Sequence, residues 1–104
     1  MIKELIMLIT LLGAPEYKTR EKAQMTLECS KVTFSQLVHF YPQKDPEINH
    51  RLKEVLFQKY LEDKRDVYTK TVYLYNDDNE YVGSETQTDM RLLKYNFEWD
   101  VRHK

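Results

Sequence analysis

Cysteine and glycine are scarce in this sequence, and each shortage excludes a kind of site. The 104 residues contain one cysteine, Cys29, so an intramolecular disulfide cannot form, which fits a reducing compartment such as the cytoplasm. The two glycines, Gly13 and Gly83, are too few for a glycine-rich phosphate-binding loop. We therefore expect a cytoplasmic protein without a disulfide framework or a phosphate loop.

An excess of charge of one sign is also missing. Lysine and arginine number 16 against 17 for aspartate and glutamate, so no overall field draws the chain towards nucleic acid or anionic lipid. The apolar run from Leu5 to Leu12 is much shorter than the roughly 20 residues that span a bilayer. Because Glu4 is unfavourable in a signal peptide, we expect this run to be a retained, buried helix, and we expect no membrane partner.

Residues that could carry chemistry are scattered along the chain. The histidines His39, His50 and His103 are not spaced as zinc ligands, and Cys29 lies in no motif of a nucleophile paired with a base. The acidic stretch 76–80 lacks the ligand spacing and central glycine of a calcium-binding loop. We therefore expect no enzymatic activity, no metal and no cofactor.

What the sequence does contain is helical periodicity, and its clearest helix signal lies between Asp45 and Asp66. Asp45 is a favourable N-cap, and Pro46 follows at the first helical position, where its missing N–H costs nothing. Apolar residues then recur on one side of a 3.6-residue turn, namely Ile48, Leu52, Val55, Leu56 and Tyr60. Phe57 and Leu61 fall on another side, so the end of this helix is predicted to need cover from a second element.

Three further helices are predicted before Asp45. Lys3 to Leu12 is apolar on more than one side and is followed by Gly13, which can take a left-handed C-cap conformation. Glu16 to Ser30 is predicted as the second helix. Thr33 can cap a third helix through FSQLVHFY, which Pro42 stops.

The two helical pairs also repeat one another. A shift of 31 residues superposes Pro15 on Pro46, Arg20 on Arg51 and Lys22 on Lys53. In LLGAPEYKTREKAQMTLE and KDPEINHRLKEVL the chain resembles a HEAT-type repeat pair over residues 2–62, with an apolar first helix, a Pro or Asp turn and a second helix with an early Arg. The resemblance implies stacked antiparallel helical hairpins that serve as a binding scaffold and brings no catalytic residues.

After the charged stretch 62–66 the period changes from 3.6 to 2. Residues 67–75 are rich in β-branched and aromatic side chains, residues 76–79 are turn formers, and residues 80–88 would be the returning strand. A strict alternation with polar residues predicts a third strand from Leu93 to Val101, with Leu93, Tyr95, Phe97, Trp99 and Val101 on one face.

These elements predict one α+β domain over residues 1–104. Four helices form two antiparallel hairpins in residues 2–62, followed by a three-stranded antiparallel β-meander in residues 66–102. The meander is expected to pack on the last helix, so that the face of the third strand covers Phe57 and Leu61.

Tyrosine is unusually frequent, with eight copies. One layer of helices cannot cover both faces of the predicted sheet, so some of its tyrosines should be exposed, as tyrosines at protein interfaces are. We predict a small non-catalytic adaptor or inhibitor, such as a viral or accessory factor, that binds a protein partner or a second copy through tyrosines of the sheet. The candidate contact residues are Tyr68, Tyr73, Tyr75 and Tyr81. The alternative is that these tyrosines only suit a half-exposed sheet surface.

Nucleic-acid binding is the second function that the sequence allows. Four basic residues occupy equivalent places in the repeat, namely Arg20, Lys22, Arg51 and Lys53. Acidic residues lie beside them, and interspersed charges are typical of a solvated face with small ion pairs. An accessory protein that binds nucleic acid is therefore the alternative prediction.

Overall fold

Helices and one small sheet make up the fold, which confirms the predicted α+β class. A computed structural model describes residues 2–104. Over this range the elements are α1 (Ile2–Leu11), α2 (Tyr17–Cys29), α3 (Phe34–Leu37) with a 3₁₀ turn (Val38–Phe40), α4 (Pro46–Lys64) with a 3₁₀ turn (Arg65–Tyr68), β1 (Thr69–Tyr75), β2 (Tyr81–Thr88) and α5 (Met90–Arg102).

Helix α4 lies at the centre of the helical body and begins as its sequence predicts. The Asp45 carboxylate accepts hydrogen bonds from the backbone N–H groups of Glu47 and Ile48, at 2.8 and 3.2 Å, and Pro46 is the first helical residue. Leu52, Val55 and Leu56 on its apolar side are fully buried. Since these side chains meet α1, α2 and α3, α4 is the element that joins the body together.

The first three helices pack around α4. Ile9 and Leu12 from the first helix and its end, Leu27 from α2 and Leu37 from α3 are buried in one core. Thr33 caps α3 through a capping box, in which its hydroxyl accepts from the Gln36 N–H while the Gln36 side chain accepts from the Thr33 N–H.

The predicted third strand is wrong: residues Met90–Arg102 form a helix, so the described residues 2–104 form five helices and two strands. Asp89 caps this helix by accepting from the Leu92 N–H at 3.1 Å. Leu93, Phe97 and Val101 are buried. In an alternating pattern, every second apolar residue is four positions from the one before it, as on one face of a helix. The alternation therefore also contains a helical stripe, and burial of that stripe favours the helix.

The cover over Phe57 is therefore helical, and Leu61 is buried in the core. The Phe57 ring meets the Phe97 ring edge to face, with ring centroids 5.1 Å apart. Tyr60 and Phe34 complete this aromatic contact, at 5.4 and 6.1 Å from Phe97. The expected meander over residues 66–102 does not pack on α4, because α5 occupies that position instead.

The two strands form a hairpin that leaves the helical body, and we call residues 69–88 the arm. Pairing is antiparallel from Thr69 opposite Thr88 to Leu74 opposite Gly83. Most side chains on both faces of the arm are exposed. The molecule measures 61 × 30 × 24 Å with a radius of gyration of 18.1 Å. A compact chain of this length would have a radius of gyration of about 13 Å, so the arm protrudes.

Candidate partner-binding surface

The turn at the tip of the arm is built by an asparagine. The Asn76 side-chain oxygen accepts from the N–H groups of Asp78 and Glu80, at 3.0 and 2.9 Å, and the Asn76 N–H donates to the Glu80 carbonyl. Asn79 takes a left-handed conformation with φ 66°, which asparagine tolerates better than most residues. The tip therefore closes through its own contacts.

Three of the four candidate tyrosines lie together on one face of the arm. Tyr73 and Tyr75 are two residues apart in β1, and Tyr81 lies opposite Tyr75 in β2. The Tyr81 ring centroid is 6.3 Å from that of Tyr73 and 6.1 Å from that of Tyr75. These three residues are 59 to 61% exposed. We call Tyr73, Tyr75 and Tyr81 the tyrosine cluster.

A β-bulge shapes the strand edge next to the tyrosine cluster. Leu74 pairs with Gly83 and Tyr75 pairs with Tyr81, so Val82 has no partner in the register and is exposed. Gly83 has φ 153°, which only glycine adopts without strain. This irregularity distinguishes the β2 edge from the regular β1 edge.

Tyr68, the fourth candidate, lies at the base of the arm. It is half-buried and packs against the helical core. Its carbonyl accepts from the Asp89 N–H at 2.8 Å, which joins the two ends of the arm. The structure therefore brings Tyr73, Tyr75 and Tyr81 together and places Tyr68 apart from them.

Charge is unevenly divided between the arm and the rest of the chain. The arm contains one basic residue, Lys70, and four acidic residues, Asp77, Asp78, Glu80 and Glu85, for a net charge of −3. The whole chain has a net charge of −1, so the remaining residues have +2. Three of the four acidic groups are at the tip, so the end of the arm is negative.

Arg51, a candidate nucleic-acid contact, is enclosed by acidic and aromatic groups. Its guanidinium donates to Glu47 at 2.6 Å and to Glu21 and Gln24 at 2.8 Å each, and it lies 5.6 Å from the Tyr17 ring centroid. The hydrogen bonds to Arg51 hold the pKa values of Glu21 and Glu47 below their ordinary range. The residue is only 8% exposed and connects α2 to α4.

The other three basic candidates are spread over the helical body. Arg20 donates to the carbonyls of Ala14 and Pro15, at 2.8 and 3.1 Å, and Lys53 pairs with Glu98 at 2.9 Å, whereas Lys22 is exposed. Because most of these charges are satisfied inside the protein, the contacts do not favour a phosphate footprint. Nucleic-acid binding stays a prediction.

Sequence reasoning missed a second exposed apolar surface. Leu92, Tyr95 and Trp99 are 47, 67 and 51% exposed and recur at spacings of three and four residues along α5. The Trp99 ring stacks on the His103 ring with centroids 3.9 Å apart. We call Leu92, Tyr95 and Trp99 the α5 outer stripe. The signal that could have found it is Asp89, which is an N-cap residue three positions before Leu92.

The Tyr60 side chain is buried and has a structural role. The Tyr60 hydroxyl donates to the Asp100 carboxylate at 2.7 Å. Burial, with further contributions from Asp100 and Tyr68, raises the pKa of Tyr60 well above its ordinary value. Since Phe34 and Phe97 pack against its ring, Tyr60 connects α4 to α5 and faces no open site.

Neither the described residues nor the comparisons point to a familiar class of site. Within residues 2–104, no three His, Cys, Asp or Glu side chains converge as metal ligands. Over the same range, no helix is both long and apolar enough to cross a membrane. No protein-family model matches the chain, and searches of curated proteins and of solved structures find no significant match. The HEAT-type resemblance of residues 2–62 therefore stays a prediction.

Proposed function

We propose that this protein is a small, non-catalytic protein-binding module, an adaptor or inhibitor, that holds its partner through the tyrosine cluster on the arm. Residues 2–62 act as a HEAT-like scaffold that supports the arm. The proposal extends to a cytoplasmic viral or accessory factor, a setting that suits a chain of this size with one cysteine.

The observation that carries the proposal is the exposure of the arm on both faces. A two-stranded hairpin that packs on nothing is only marginally stable in water, so a partner that covers one face also stabilises the arm. Tyrosine suits such a contact because it buries a large area while ordering few torsions and retains a hydroxyl for hydrogen bonding. Three tyrosines on one face offer a continuous surface of this kind.

The charge of the arm restricts the partner. Asp77, Asp78 and Glu80 surround the tip next to the tyrosine cluster. A protein that covers this surface must place basic groups near the tip, because like charges brought together at an interface weaken binding. We therefore expect a partner surface that combines apolar or aromatic groups with lysine or arginine.

Affinity capture from the source cells tests this proposal. Replacement of Tyr73, Tyr75 and Tyr81 by threonine removes the aromatic surface but keeps β-propensity. We expect a partner that is recovered with the unaltered protein to be lost with this variant, with binding weakened at least about a hundredfold, since an aromatic contact residue at an interface contributes about 1 to 4 kcal/mol.

The opposite face of the same hairpin provides the matched control. The control variant has threonine in place of three residues of the other face, namely Val72, Leu74 and Gln87. It changes as many residues as the tyrosine variant, and we expect it to retain the partner. A single Tyr75→Thr variant keeps the contact between Tyr73 and Tyr81 and so separates lost binding from a melted hairpin. Equal recovery with all these variants would refute a role for the tyrosine cluster.

A further inference from the structure

We propose that the partner is a second copy of this chain, with each arm lying along the α5 outer stripe of the other copy. The inference rests on the proposed function, because it uses the same tyrosine cluster as the binding surface. It adds the surface that receives the cluster and the symmetry of the assembly.

Helix α5 presents apolar groups on two nearly opposite sides. Leu93, Phe97 and Val101 are buried against the helical body. Leu92, Tyr95 and Trp99 form the exposed stripe, which includes the only tryptophan of the chain. A second apolar stripe on an already packed helix is the pattern of a surface that docks another element.

The charges around the α5 outer stripe complement those of the arm. Arg91 and Arg102 lie beside the stripe, since they are four residues before Tyr95 and three after Trp99. Other charged groups of residues 90–104 are engaged by the body, since Glu98 pairs with Lys53, Asp100 accepts from the Tyr60 hydroxyl and Lys104 lies over the Tyr41 ring. The arm has a net charge of −3, so the two unpartnered surfaces attract each other.

The lengths of the two elements also match. Seven residues of β1 extend about 23 Å, and thirteen residues of α5 extend about 20 Å. The arm of the same chain points away from the helical body, as the 61 Å long dimension shows. If a second copy lies with its arm in the opposite direction, the arm of each copy reaches α5 of the other. This two-fold symmetric dimer leaves no arm or α5 outer stripe free to bind a third copy.

Reciprocal coverage supplies the area that a specific dimer needs. Each copy contributes five half-exposed aromatic rings, Tyr73, Tyr75, Tyr81, Tyr95 and Trp99. Each of these rings still exposes on the order of 100 to 150 Å². If the ten rings of two copies are covered, the dimer buries on the order of 1,000 to 1,500 Å², which is at the lower end of the range for specific interfaces. We expect a dissociation constant on the order of 10 μM.

Sedimentation and tryptophan fluorescence test the dimer on the full chain. Across about 1 to 200 μM protein, sedimentation should pass from monomer to dimer, and Trp99 emission should shift to shorter wavelength as the ring leaves water. Raising the salt concentration from about 0.1 to 1 M should weaken association, because the attraction between the arm and α5 is screened.

Charge reversal identifies the two surfaces. Asp77→Lys with Asp78→Lys on the arm, or Arg91→Glu with Arg102→Glu on α5, should each weaken self-association at least about tenfold. Mixing these two variants should restore a heterodimer, since every arm then meets a helix of opposite charge. The control Glu4→Lys with Glu16→Lys changes net charge by the same amount as the arm variant, outside both surfaces, and should dimerise like the unaltered chain.

The outcomes separate this inference from the proposed function. A chain that stays monomeric at about 200 μM overturns the inference. Self-association of unchanged strength after reversal at Arg91 and Arg102 also overturns it, because the arms then pair without α5. In either case, capture of another protein that depends on Tyr73, Tyr75 and Tyr81 would still support the proposed function. Helical circular dichroism of every variant verifies that the body remains folded.

Discussion

At the scale of single residues, Arg51 shows how a surface charge in the sequence becomes a structural contact. Its partners Glu21 and Gln24 lie on α2, about 30 positions away, and Glu47 lies one turn before it. Nothing in the local sequence distinguishes Arg51 from an exposed arginine. Its burial depends on the packing of α2 against α4.

Replacing Arg51 by methionine should lower the free energy of unfolding by about 2 kcal/mol at neutral pH, because its charged hydrogen bonds are lost. Since folding lowers the pKa values of Glu21 and Glu47, their contribution is present above the ordinary value of 4.5 and is lost as the pH falls through the lowered values. The difference in the free energy of unfolding between the unaltered protein and the Arg51→Met variant should therefore become smaller below about pH 4.5.

Urea unfolding from pH 3 to 7 measures this difference. Lys22→Met is the matched control, because Lys22 is exposed on α2 and forms no ion pair within residues 2–104. An Arg51→Met protein as stable as this control would contradict a structural role for the guanidinium.

Gly13 illustrates a second residue whose role depends on tertiary contact. The expected left-handed C-cap is absent, and a Cβ at this position would lie 2.6 Å from Cγ1 of Ile48. A side chain at position 13 would displace the Ile48 side chain, so Gly13 permits the close approach of the α1–α2 connection to α4 without using a left-handed conformation.

At the scale of elements, α5 is where the pattern of the sequence was ambiguous. The apolar residues from Leu93 to Val101 fit both the period of 2 of a strand and the spacing of four residues of a helix. The two structures differ in whether Tyr95 and Phe97 lie on the same face. In a strand they would. In α5 they do not, so Phe97 is buried and Tyr95 is exposed.

Substitution of Tyr95 and Phe97 by alanine, one at a time, tests which of the two side chains is buried. Phe97→Ala should destabilise the protein by about 3 to 5 kcal/mol, because it leaves a cavity among Phe34, Phe57 and Tyr60. Tyr95→Ala should change stability by less than about 0.5 kcal/mol in dilute protein, because this side chain is exposed. Comparable losses from both substitutions, measured by thermal or urea unfolding, would indicate a strand.

At the scale of the whole molecule, the body and the arm differ in how they are stabilised. The helices share one continuous core, from Ile9 in α1 to Val101 in α5. The arm contributes no buried residue to that core, and its contacts with the body are at its base. The body should therefore be stable without the arm.

Excision of the arm tests this division. In this variant, Asn-Gly, a favoured two-residue hairpin turn, replaces residues 70–87. Its free energy of unfolding should be within about 1 kcal/mol of that of the full chain. Thr69 and Thr88 suit such a closure, because their hydroxyl oxygens are 2.7 Å apart. Small-angle scattering of dilute protein should give a radius of gyration of about 12 Å, compared with 18.1 Å for the full chain. Loss of helical circular dichroism would show that the body needs the arm.

The sequence by itself determined the features whose causes are local. Asp45 and Pro46 start α4, Thr33 caps α3, and the turn formers from Asn76 place the hairpin, because the groups that make each contact lie within a few residues of one another. The same locality placed Tyr73, Tyr75 and Tyr81 in the strands of the hairpin.

Only the tertiary structure decided which of these surfaces are covered. It buried Leu93, Phe97 and Val101 as a helical stripe and thereby removed the third strand that would have joined the arm to the body. Loss of that strand left the tyrosine cluster exposed and created the α5 outer stripe. Burial is a property of the whole packing arrangement, so it could not be read from the short-range patterns that specify helices and turns.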